Sequence, residues 1–507
     1  MIALAFGVIA ALLHGATAWR YGYFRDELYF VACSKHLAWG YVDQPPMVAL
    51  AALVAAPAGY ELVALRALPI LAAALTVYVT VALCRELGGN RFAQLLAGTA
   101  TLAMPAYLVL GNTLTTSSFE PLTWTLAFYC AIRIVRAPRR QPRWWAALAT
   151  VAAFGMYAKY SMLLPLAGIG AGLLATPERR VLRSVYPLCA AVLALGLVAP
   201  NLTWQAVHGW PFLEVLRGDS AHRPALQNGV TLEVSGTVAN AIRFAFEQLL
   251  YTNPVAVPIW VAGAFAPLRL RELRDLRFVS IAYVVMFLTA AAFAAKGYYI
   301  AGAYATLFAL GGVAIERAAI ALRTALCALL AIVALVALPF SLPVLPVGGL
   351  VGYSRLLGIT GRSGARAELV QPIFAEEFGW NRLARDVASV YLALPPRIRS
   401  RTAIYADTYA DAGALDFFGP RYGLPGAISS QNSYFLWGTR GYDGTTLVAI
   451  GATRIDRLRR FYRSVVLVRT STEPLKWIVE GPAPIYLCRD PIAPLPVIWP
   501  ALRWYGA

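Results

Sequence analysis

The feature that most constrains this 507-residue chain is a series of eleven apolar stretches, most of them close to the length that crosses a lipid bilayer. A helix needs roughly 20 apolar residues to span the hydrocarbon core. Charged residues make up only 14% of the chain, against roughly 25% in a soluble protein. The sequence therefore predicts an α-helical polytopic membrane protein with about 11 transmembrane helices. We place them at about residues 2–19, 62–84, 92–110, 119–135, 144–158, 161–175, 185–204, 249–268, 278–295, 298–315 and 322–342.

Arginine residues indicate which side of the membrane each loop occupies. Of the 44 basic residues all but four are arginine, and they cluster after the second, fourth, sixth, eighth and tenth stretches. Loops rich in Lys and Arg stay in the cytoplasm, so we expect a cytoplasmic N-terminus and a first outer loop at residues 20–60. The first stretch lacks a basic start and an A-x-A cleavage site, which indicates a retained span rather than a signal peptide. Abundant Arg and Ala indicate a GC-rich bacterial genome, and hence the bacterial plasma (inner) membrane.

The C-terminal part of the chain differs in kind from the rest. Charge rises from about residue 343, and Gly, Pro and aromatic residues become frequent. Residues 402–406, 446–450 and 465–469 are predicted to be strands by their β-branched content, and residues 382–391, 411–422 and 455–462 to be helices. We therefore predict two domains, a transmembrane module at 1–342 that includes the first outer loop, and an extracytoplasmic α/β domain at 343–507.

The basic charge of the chain does not indicate a nucleic-acid-binding protein. The net charge is +18, but a nucleic-acid-binding protein concentrates its charge on a soluble face, whereas here arginine sits in short loops between apolar stretches. We therefore expect no nucleic-acid partner.

The six cysteines are scattered and no pair has the spacing of metal ligands, so we interpret them as small buried side chains.

Several ionisable residues gather on the predicted outer face of the membrane, three of them in the first outer loop and three at the outer ends of apolar stretches. A charge inside a span costs roughly 2.5–3.5 kcal/mol or more at the helix centre, so such residues are functional hypotheses by default. One carboxylate can act as general base on an acceptor hydroxyl. Cations, or a metal ion held by carboxylates, can neutralise a departing phosphate, and the apolar interior admits a lipid tail. The residues are Asp26, Glu27, Asp43, Glu120, Lys159 and Lys296.

Each of these carboxylates also has a structural interpretation. Asp26 beside Arg25 is compatible with a plain interfacial ion pair, and Glu27 with a purely structural role. Asp43 stands before Gln-Pro-Pro and suits a helix cap. Glu120 beside a proline suits a helix N-terminus through the helix dipole. Charge alone therefore does not separate function from structure at these positions.

The remaining polar residues of this face are open to the same alternative. Lys159 and Lys296 suit snorkelling anchors at the membrane surface, and His36 suits an interfacial position. The aromatic residues of the first outer loop suit the membrane surface as well, so we expect short amphipathic helices there. These aromatic and apolar residues are Tyr29, Phe30, Leu37, Trp39 and Tyr41. Pro45-Pro46 suits a helix start, and a short helix over residues 47–56 is predicted to follow.

Four short motifs follow one another on the predicted outer face. They are Arg25-Asp26-Glu27-x-Tyr29, Gly40-Tyr41-Val42-Asp43-Gln44-Pro45-Pro46, Phe119-Glu120-Pro121-Leu122 and Lys296-Gly297-Tyr298-Tyr299. In this order they resemble the GT-C superfamily of membrane glycosyltransferases. The likeness is greater to the branch of protein O-mannosyltransferases and lipid A aminoarabinose transferases, with their RgtA/B/C/D-like bacterial relatives, and it covers roughly the first 340 residues.

The resemblance implies an inverting glycosyltransferase that uses a polyprenyl-phosphate sugar donor on the non-cytoplasmic side of the membrane. By this resemblance Asp26 matches the first-loop catalytic aspartate, and Glu27 completes the catalytic Asp-Glu pair. Asp43 matches the acidic position before Pro-Pro, Glu120 a second acidic position, and Lys296 a lysine near the lipid phosphate. The acceptor is expected to be a lipid, an envelope glycan or a protein.

Further residues are assigned to donor phosphate or substrate binding beside these. They are Arg25, Gln44, Lys159 and Tyr298. A divalent cation, Mg²⁺ or Mn²⁺, is an open expectation, with Asp26, Asp43 and Glu120 as candidate ligands. The chain departs from its relatives at Gln44, where many have His or Lys, at Glu120, where Asp is common, and after Tyr299, where the usual proline is absent. These departures concern the sugar, the acceptor and the metal more than the fold.

Two other classes of function compete with the enzyme. A lipid or solute transporter of the same span count is expected to have internal repeats and paired broken helices near the membrane midplane, and the sequence gives no sign of either. A receptor or assembly factor that works through its outer domain leaves the acidic loop around Asp26 without a purpose. The sequence therefore favours the glycosyltransferase.

Overall fold

A computed structural model describes residues 1–137, 141–221, 237–293, 295–359, 370–451, 455–475 and 482–506. Its α-helices are numbered in chain order. The first sixteen are α1 (Ile2–Gly15), α2 (Arg25–Lys35), α3 (Met47–Val54), α4 (Leu62–Glu86), α5 (Arg91–Leu102), α6 (Pro105–Asn112), α7 (Glu120–Arg136), α8 (Gln141–Ala158), α9 (Leu163–Leu174), α10 (Tyr186–Val207), α11 (Pro211–Ala221), α12 (Thr237–Thr252), α13 (Val257–Arg269), α14 (Arg277–Ala292), α15 (Tyr304–Ile315) and α16 (Ile320–Ser341).

Shorter helices alternate with strands in the C-terminal part. The helices are α17 (Val347–Leu356), α18 (Pro372–Ala375), α19 (Trp380–Leu392), α20 (Pro396–Arg399), α21 (Tyr409–Phe418), α22 (Asn432–Trp437), α23 (Ile455–Phe461) and α24 (Leu495–Leu502). The strands are β1 (Thr402–Ala406), β2 (Ala427–Ser429), β3 (Thr446–Ile450), β4 (Tyr462–Ser471) and β5 (Ala483–Pro491). Short 3-10 helices connect several elements, among them Thr116–Phe119, Tyr160–Met162 and Gly297–Ala303.

The chain is a mostly helical polytopic membrane protein, and each predicted apolar stretch corresponds to one or more of these helices. In the described residues five helices are long and apolar enough to cross a membrane, or up to eight if each bent pair counts as one span. The pairs bend because the chain breaks between them, by 61° between α5 and α6 and by 100° between α12 and α13. The predicted number of about eleven exceeds both values and stays a prediction.

The described chain divides into two compact units. The first comprises residues 1–18, 66–203 and 225–344 and contains most of the long apolar helices. Capping side chains and charged residues at their ends determine where its helices begin and end. The Asn90 side chain accepts a hydrogen bond from the Ala93 N–H at the start of α5, and α7 begins with Glu120-Pro121 and ends among arginines, as the helix dipole favours.

Glycine allows the closest packing inside this first unit. Helices α13 and α15 approach until a Cβ on Gly311 would stand 2.0 Å from the carbonyl oxygen of Ile259, and a Cβ on Gly263 2.0 Å from that of Leu307. No side chain fits at such a separation, so both positions require glycine. Around this contact a continuous apolar core forms, with Trp124, Tyr304 and Phe308 among its fully buried side chains.

The second unit comprises residues 19–65, 204–224 and 345–507. Its five-stranded sheet has the order β2-β1-β3-β5-β4. Strand β1 pairs in parallel with β2 and β3, whereas β5 runs antiparallel to β3 and β4. The predicted α/β character of the C-terminal part agrees with this sheet. The first outer loop, which we counted with the transmembrane module, groups here with the C-terminal residues instead.

The loop at residues 20–60 differs from the predicted set of surface helices. Leu37 and Trp39 are exposed as expected, but Tyr29, Phe30 and Tyr41 are buried, so the prediction of an interfacial position was wrong for these three aromatics. A residue from the far end of the chain covers Tyr29, whose ring lies 4.7 Å from the ring of Tyr409 on α21. A contact between residues that are distant in sequence leaves no trace in local amphipathicity. The predicted helix after Pro46 is present as α3.

Candidate active site

Asp26 lies in the first turn of α2, in the second unit. At the start of this helix the Glu27 carboxylate accepts a 2.8 Å hydrogen bond from the backbone N–H of Phe24, which is one half of a capping box, since the phenylalanine side chain has no acceptor to offer in return. Asp26 itself points elsewhere, and its side chain is 27% exposed. Its Oδ1 accepts a hydrogen bond from the Tyr409 hydroxyl at 2.8 Å, and Nε of Arg25 lies 3.4 Å from the same oxygen. The cap therefore fixes the helix start, and Asp26 keeps an accessible carboxylate.

Asp43 forms the second part of this cluster. Its Oδ1 accepts a hydrogen bond from the Tyr29 hydroxyl at 2.9 Å, and its Oδ2 accepts one from the Asn432 amide at 3.1 Å. Asn432 has a φ of 46°, which asparagine tolerates better than most residues, and the Gly506 N–H bonds to its Oδ1. Burial raises the pKa of Asp43 to about 7, the Asp26 charge adds to the rise, and the two hydrogen bonds oppose it.

Replacing Asp43 by Asn is expected to change how stability depends on pH. The pKa of Asp43 in the folded chain, about 7, is above its ordinary value of 3.8, so folding favours the protonated form. That contribution is complete below the ordinary value and is lost as the pH rises through about 7. Asparagine does not ionise, so the melting temperature of Asp43→Asn should rise by a few degrees relative to the wild type between about pH 4 and pH 7. Thermal unfolding in detergent across this range measures the difference, and a constant difference would contradict the assignment.

Glu27 and Gln44 lie inside the second unit. Glu27 is fully buried and one of its oxygens caps α2, a geometry that favours a positioning role over contact with substrate. Gln44 is buried too, and its Nε2 lies 3.7 Å from the Cys33 sulfur. The predicted catalytic role of Glu27 and the predicted substrate contact of Gln44 stay predictions.

A second polar cluster forms in the first unit, around the start of α7. The Glu120 carboxylate pairs with the Lys159 ammonium at 3.2 Å and accepts a hydrogen bond from the Ser161 hydroxyl. Lys159 also donates to the Ser117 hydroxyl at 2.7 Å. Its Nζ lies 4.3 Å from the centre of the Tyr299 ring, within the range of a cation–π contact.

Tyr298 and Lys296 lie close in sequence to Tyr299, which belongs to this second cluster. The Tyr298 ring centre is 5.6 Å from the Lys159 Nζ, so one predicted site residue contacts another. Lys296 precedes the 3-10 helix Gly297–Ala303 and is exposed. Its ammonium group has no ion-pair partner among the residues that the structure describes, which leaves it available to an anionic ligand.

The predicted metal site does not assemble in the described part of the chain. No group of three or more His, Cys, Asp or Glu side chains is placed there to hold a metal ion. Of the three candidate ligands, Asp26 already bonds Tyr409 and Glu120 already pairs with Lys159. The divalent cation therefore stays a prediction, and we derive no chemical step through one.

The structure thus assembles the predicted residues in two groups. Arg25, Asp26 and Asp43 lie together in the second unit, and Glu120, Lys159 and Tyr298 lie together in the first. Sequence analysis assigned no role to the partners of these residues, because most of them come from separate elements and only Tyr299 belongs to one of the four motifs. These partners are Ser117, Ser161, Tyr299, Tyr409 and Asn432.

Comparison with known proteins adds to this geometry. Residues 43–204 match the family model described as dolichyl-phosphate-mannose-protein mannosyltransferase. The structure of ArnT from Cupriavidus metallidurans in the apo state is similar with a TM-score of 0.63 and 14% identity, over 95% of this chain and 97% of that one. The same protein bound to undecaprenyl phosphate gives a TM-score of 0.62, with the same identity and coverage. No curated protein is significantly similar to the sequence.

The structural similarity covers 95% of the chain, whereas the family model matches residues 43–204. The region that matches the family model contains Asp43, Glu120 and Lys159, whereas Asp26 and Lys296 lie outside it. The structural likeness extends over both compact units, and at 14% identity it establishes the fold. The chain is therefore a multi-pass membrane protein with the GT-C fold, similar to the protein O-mannosyltransferases and to ArnT.

Proposed function

We propose that this chain is an inverting glycosyltransferase that moves a sugar from a polyprenyl-phosphate donor to a hydroxyl group of a lipid, glycan or protein acceptor. The transfer reaction takes place at the outer face of a bacterial plasma membrane, and the N-terminus of the chain lies in the cytoplasm. The GT-C fold supports the class of enzyme. The undecaprenyl phosphate bound to ArnT supports the class of donor.

The proposal rests on the exposure and the hydrogen bonding of the Asp26 carboxylate. A general base must reach the proton that it removes, directly or through one water molecule. Asp26 is 27% exposed, and both contacts of its carboxylate in the described residues fall on Oδ1. The other oxygen, Oδ2, accepts no hydrogen bond from those residues. A carboxylate held by one oxygen and open at the other suits the removal of a proton from an acceptor hydroxyl.

The proposed step balances as a single displacement. The acceptor oxygen forms a bond to the anomeric carbon of the sugar while its proton passes to Oδ2 of Asp26. The bond between that carbon and the phosphate oxygen breaks, and the bonding electron pair leaves with the polyprenyl phosphate. Attack from the face opposite the leaving group inverts the anomeric configuration. Cations near the leaving phosphate lower the barrier by neutralising its charge, and Lys159 and Lys296 stay the candidates for this role.

A reconstituted assay tests the proposal. The purified full chain in liposomes is given synthetic undecaprenyl-phosphate sugars, with pentoses and hexoses in parallel, and an envelope fraction as acceptor. We expect release of free undecaprenyl phosphate together with sugar transfer that depends on the protein, and a product with inverted anomeric configuration by NMR. Movement of the intact donor across the bilayer without release of the phosphate would contradict the proposal and favour a transporter. Transfer with retained configuration would contradict the single displacement.

A further inference from the structure

Tyr409 lies 383 residues after Asp26 in sequence and yet donates a hydrogen bond to its carboxylate, with 2.8 Å between Oη and Oδ1. The same hydroxyl accepts a hydrogen bond from the Arg25 guanidinium at 3.1 Å. A hydroxyl that accepts from a cation is a stronger donor, because hydrogen bonds in a chain polarise one another. Arg25, Tyr409 and Asp26 therefore form a short relay that ends on the candidate base.

The surroundings of Tyr409 hold its hydroxyl in place. Its ring is buried and packs against the Tyr29 ring at 4.7 Å, and its backbone N–H donates to Oε1 of Gln431 at 2.6 Å. Burial raises the pKa of Tyr409 well above its ordinary value, so the hydroxyl stays protonated and remains a donor at neutral pH. A side chain fixed at both its backbone and its ring suits a positioning role.

The backbone of α21 is shaped for this contact. A Cβ on Gly413 would stand 2.9 Å from the backbone carbon of Leu28 on α2, so glycine at this position lets the two helices approach closely. Tyr409 begins α21 one turn earlier, and Thr408 caps the helix by accepting the Asp411 N–H. The close approach of α21 to α2 therefore brings the Tyr409 hydroxyl to Asp26.

We propose that Tyr409 is a positioning residue for the reaction. Tyr409 orients the Asp26 carboxylate through Oδ1, so that Oδ2 faces the acceptor hydroxyl. Arg25 in turn holds the Tyr409 hydroxyl through the hydrogen bond that it donates to it. This inference rests on the proposed function, and it gives the C-terminal α/β part of the chain a role inside the active site. Among the described residues, the polar groups that face Asp26 directly or through Arg25 include Arg25, Tyr409, Asp43 and Glu376.

The variant Tyr409→Phe removes the hydroxyl and keeps the ring. Loss of a hydrogen bond to a charged group is expected to lower kcat about tenfold, with KM for the polyprenyl-phosphate sugar unchanged. Both quantities are measured in the liposome assay with the full chain. Size-exclusion chromatography confirms that the variant is folded.

Tyr434→Phe is the matched control. Tyr434 is also a buried tyrosine of the second unit that donates to a carboxylate paired with arginine, in its case Asp416 with Arg440. We expect this variant to keep the kcat and the KM of the wild type. An equal loss in both variants, or wild-type kcat in Tyr409→Phe, would overturn the inference. The proposed function fails separately, when the wild type moves the intact donor across the bilayer without releasing undecaprenyl phosphate.

Discussion

Replacing Asp26 by Asn is expected to lower the rate of sugar transfer by about 10² to 10⁴, the range that a general base contributes. Asparagine has nearly the same shape and keeps an oxygen that can accept from Tyr409, so the variant should fold. It has no basic oxygen to take the proton of the acceptor hydroxyl. The loss should therefore appear in kcat, with little change in KM for the donor. Release of undecaprenyl phosphate in the liposome assay measures it.

Asp386→Asn provides the control for this prediction. Asp386 is a partly buried carboxylate of the same unit that pairs with Arg469 and accepts a hydrogen bond from Ser471, so its replacement also removes one charge and one ion pair. We expect its transfer rate to match that of the wild type. If Asp26→Asn retained full transfer, or if both variants lost activity equally, Asp26 would not be the base.

Replacing Lys159 by Met is expected to destabilise the first unit. The Glu120 side chain is 7% exposed and that of Lys159 is 19% exposed, with 3.2 Å between the charged atoms. Removing one partner of a buried ion pair costs about 3–5 kcal/mol, because the other charge stays buried without compensation. The melting temperature in detergent should therefore fall by several degrees. Activity should fall with it at temperatures where the wild type is stable.

Two further variants separate the ion pair from a general effect of losing a lysine. Lys296→Met removes an exposed lysine with no ion-pair partner in the described residues, and its melting temperature should equal that of the wild type. The double variant Lys159→Met with Glu120→Gln removes both charges and should recover most of the lost stability. A double variant as unstable as Lys159→Met would show that the ion pair is not the cause.

Local pattern was enough to predict most of the secondary structure. The β-branched runs at 402–406 and 446–450 coincide with β1 and β3, and the apolar stretches at 62–84 and 322–342 coincide with α4 and α16 within about two residues. These elements have a strong local signal, since apolar length and β-branched content act over a few residues. Strands β2 and β5 were missed, because their pairing partners, not their own residues, make them strands.

The candidate site divides in the same way. The motif around Asp26 and the acidic position before Pro-Pro could be recognised from the sequence, because they are continuous stretches with unusual charge. Tyr409 and Asn432 could not be recognised, since neither belongs to a motif and each acts on a carboxylate nearly 400 positions away. Only the folded chain shows that the Asp43 carboxylate accepts hydrogen bonds from two donors and that one oxygen of Glu27 caps helix α2.

The sequence by itself determined that this chain crosses a membrane, since the length of an apolar run and the cost of burying charge in lipid are properties of single segments. It also singled out the acidic loop after the first stretch. The tertiary structure decided which unit that loop belongs to, which of its carboxylates stays accessible, and which distant side chains hold it. These outcomes depend on packing between residues far apart in the chain, and no local pattern records such contacts.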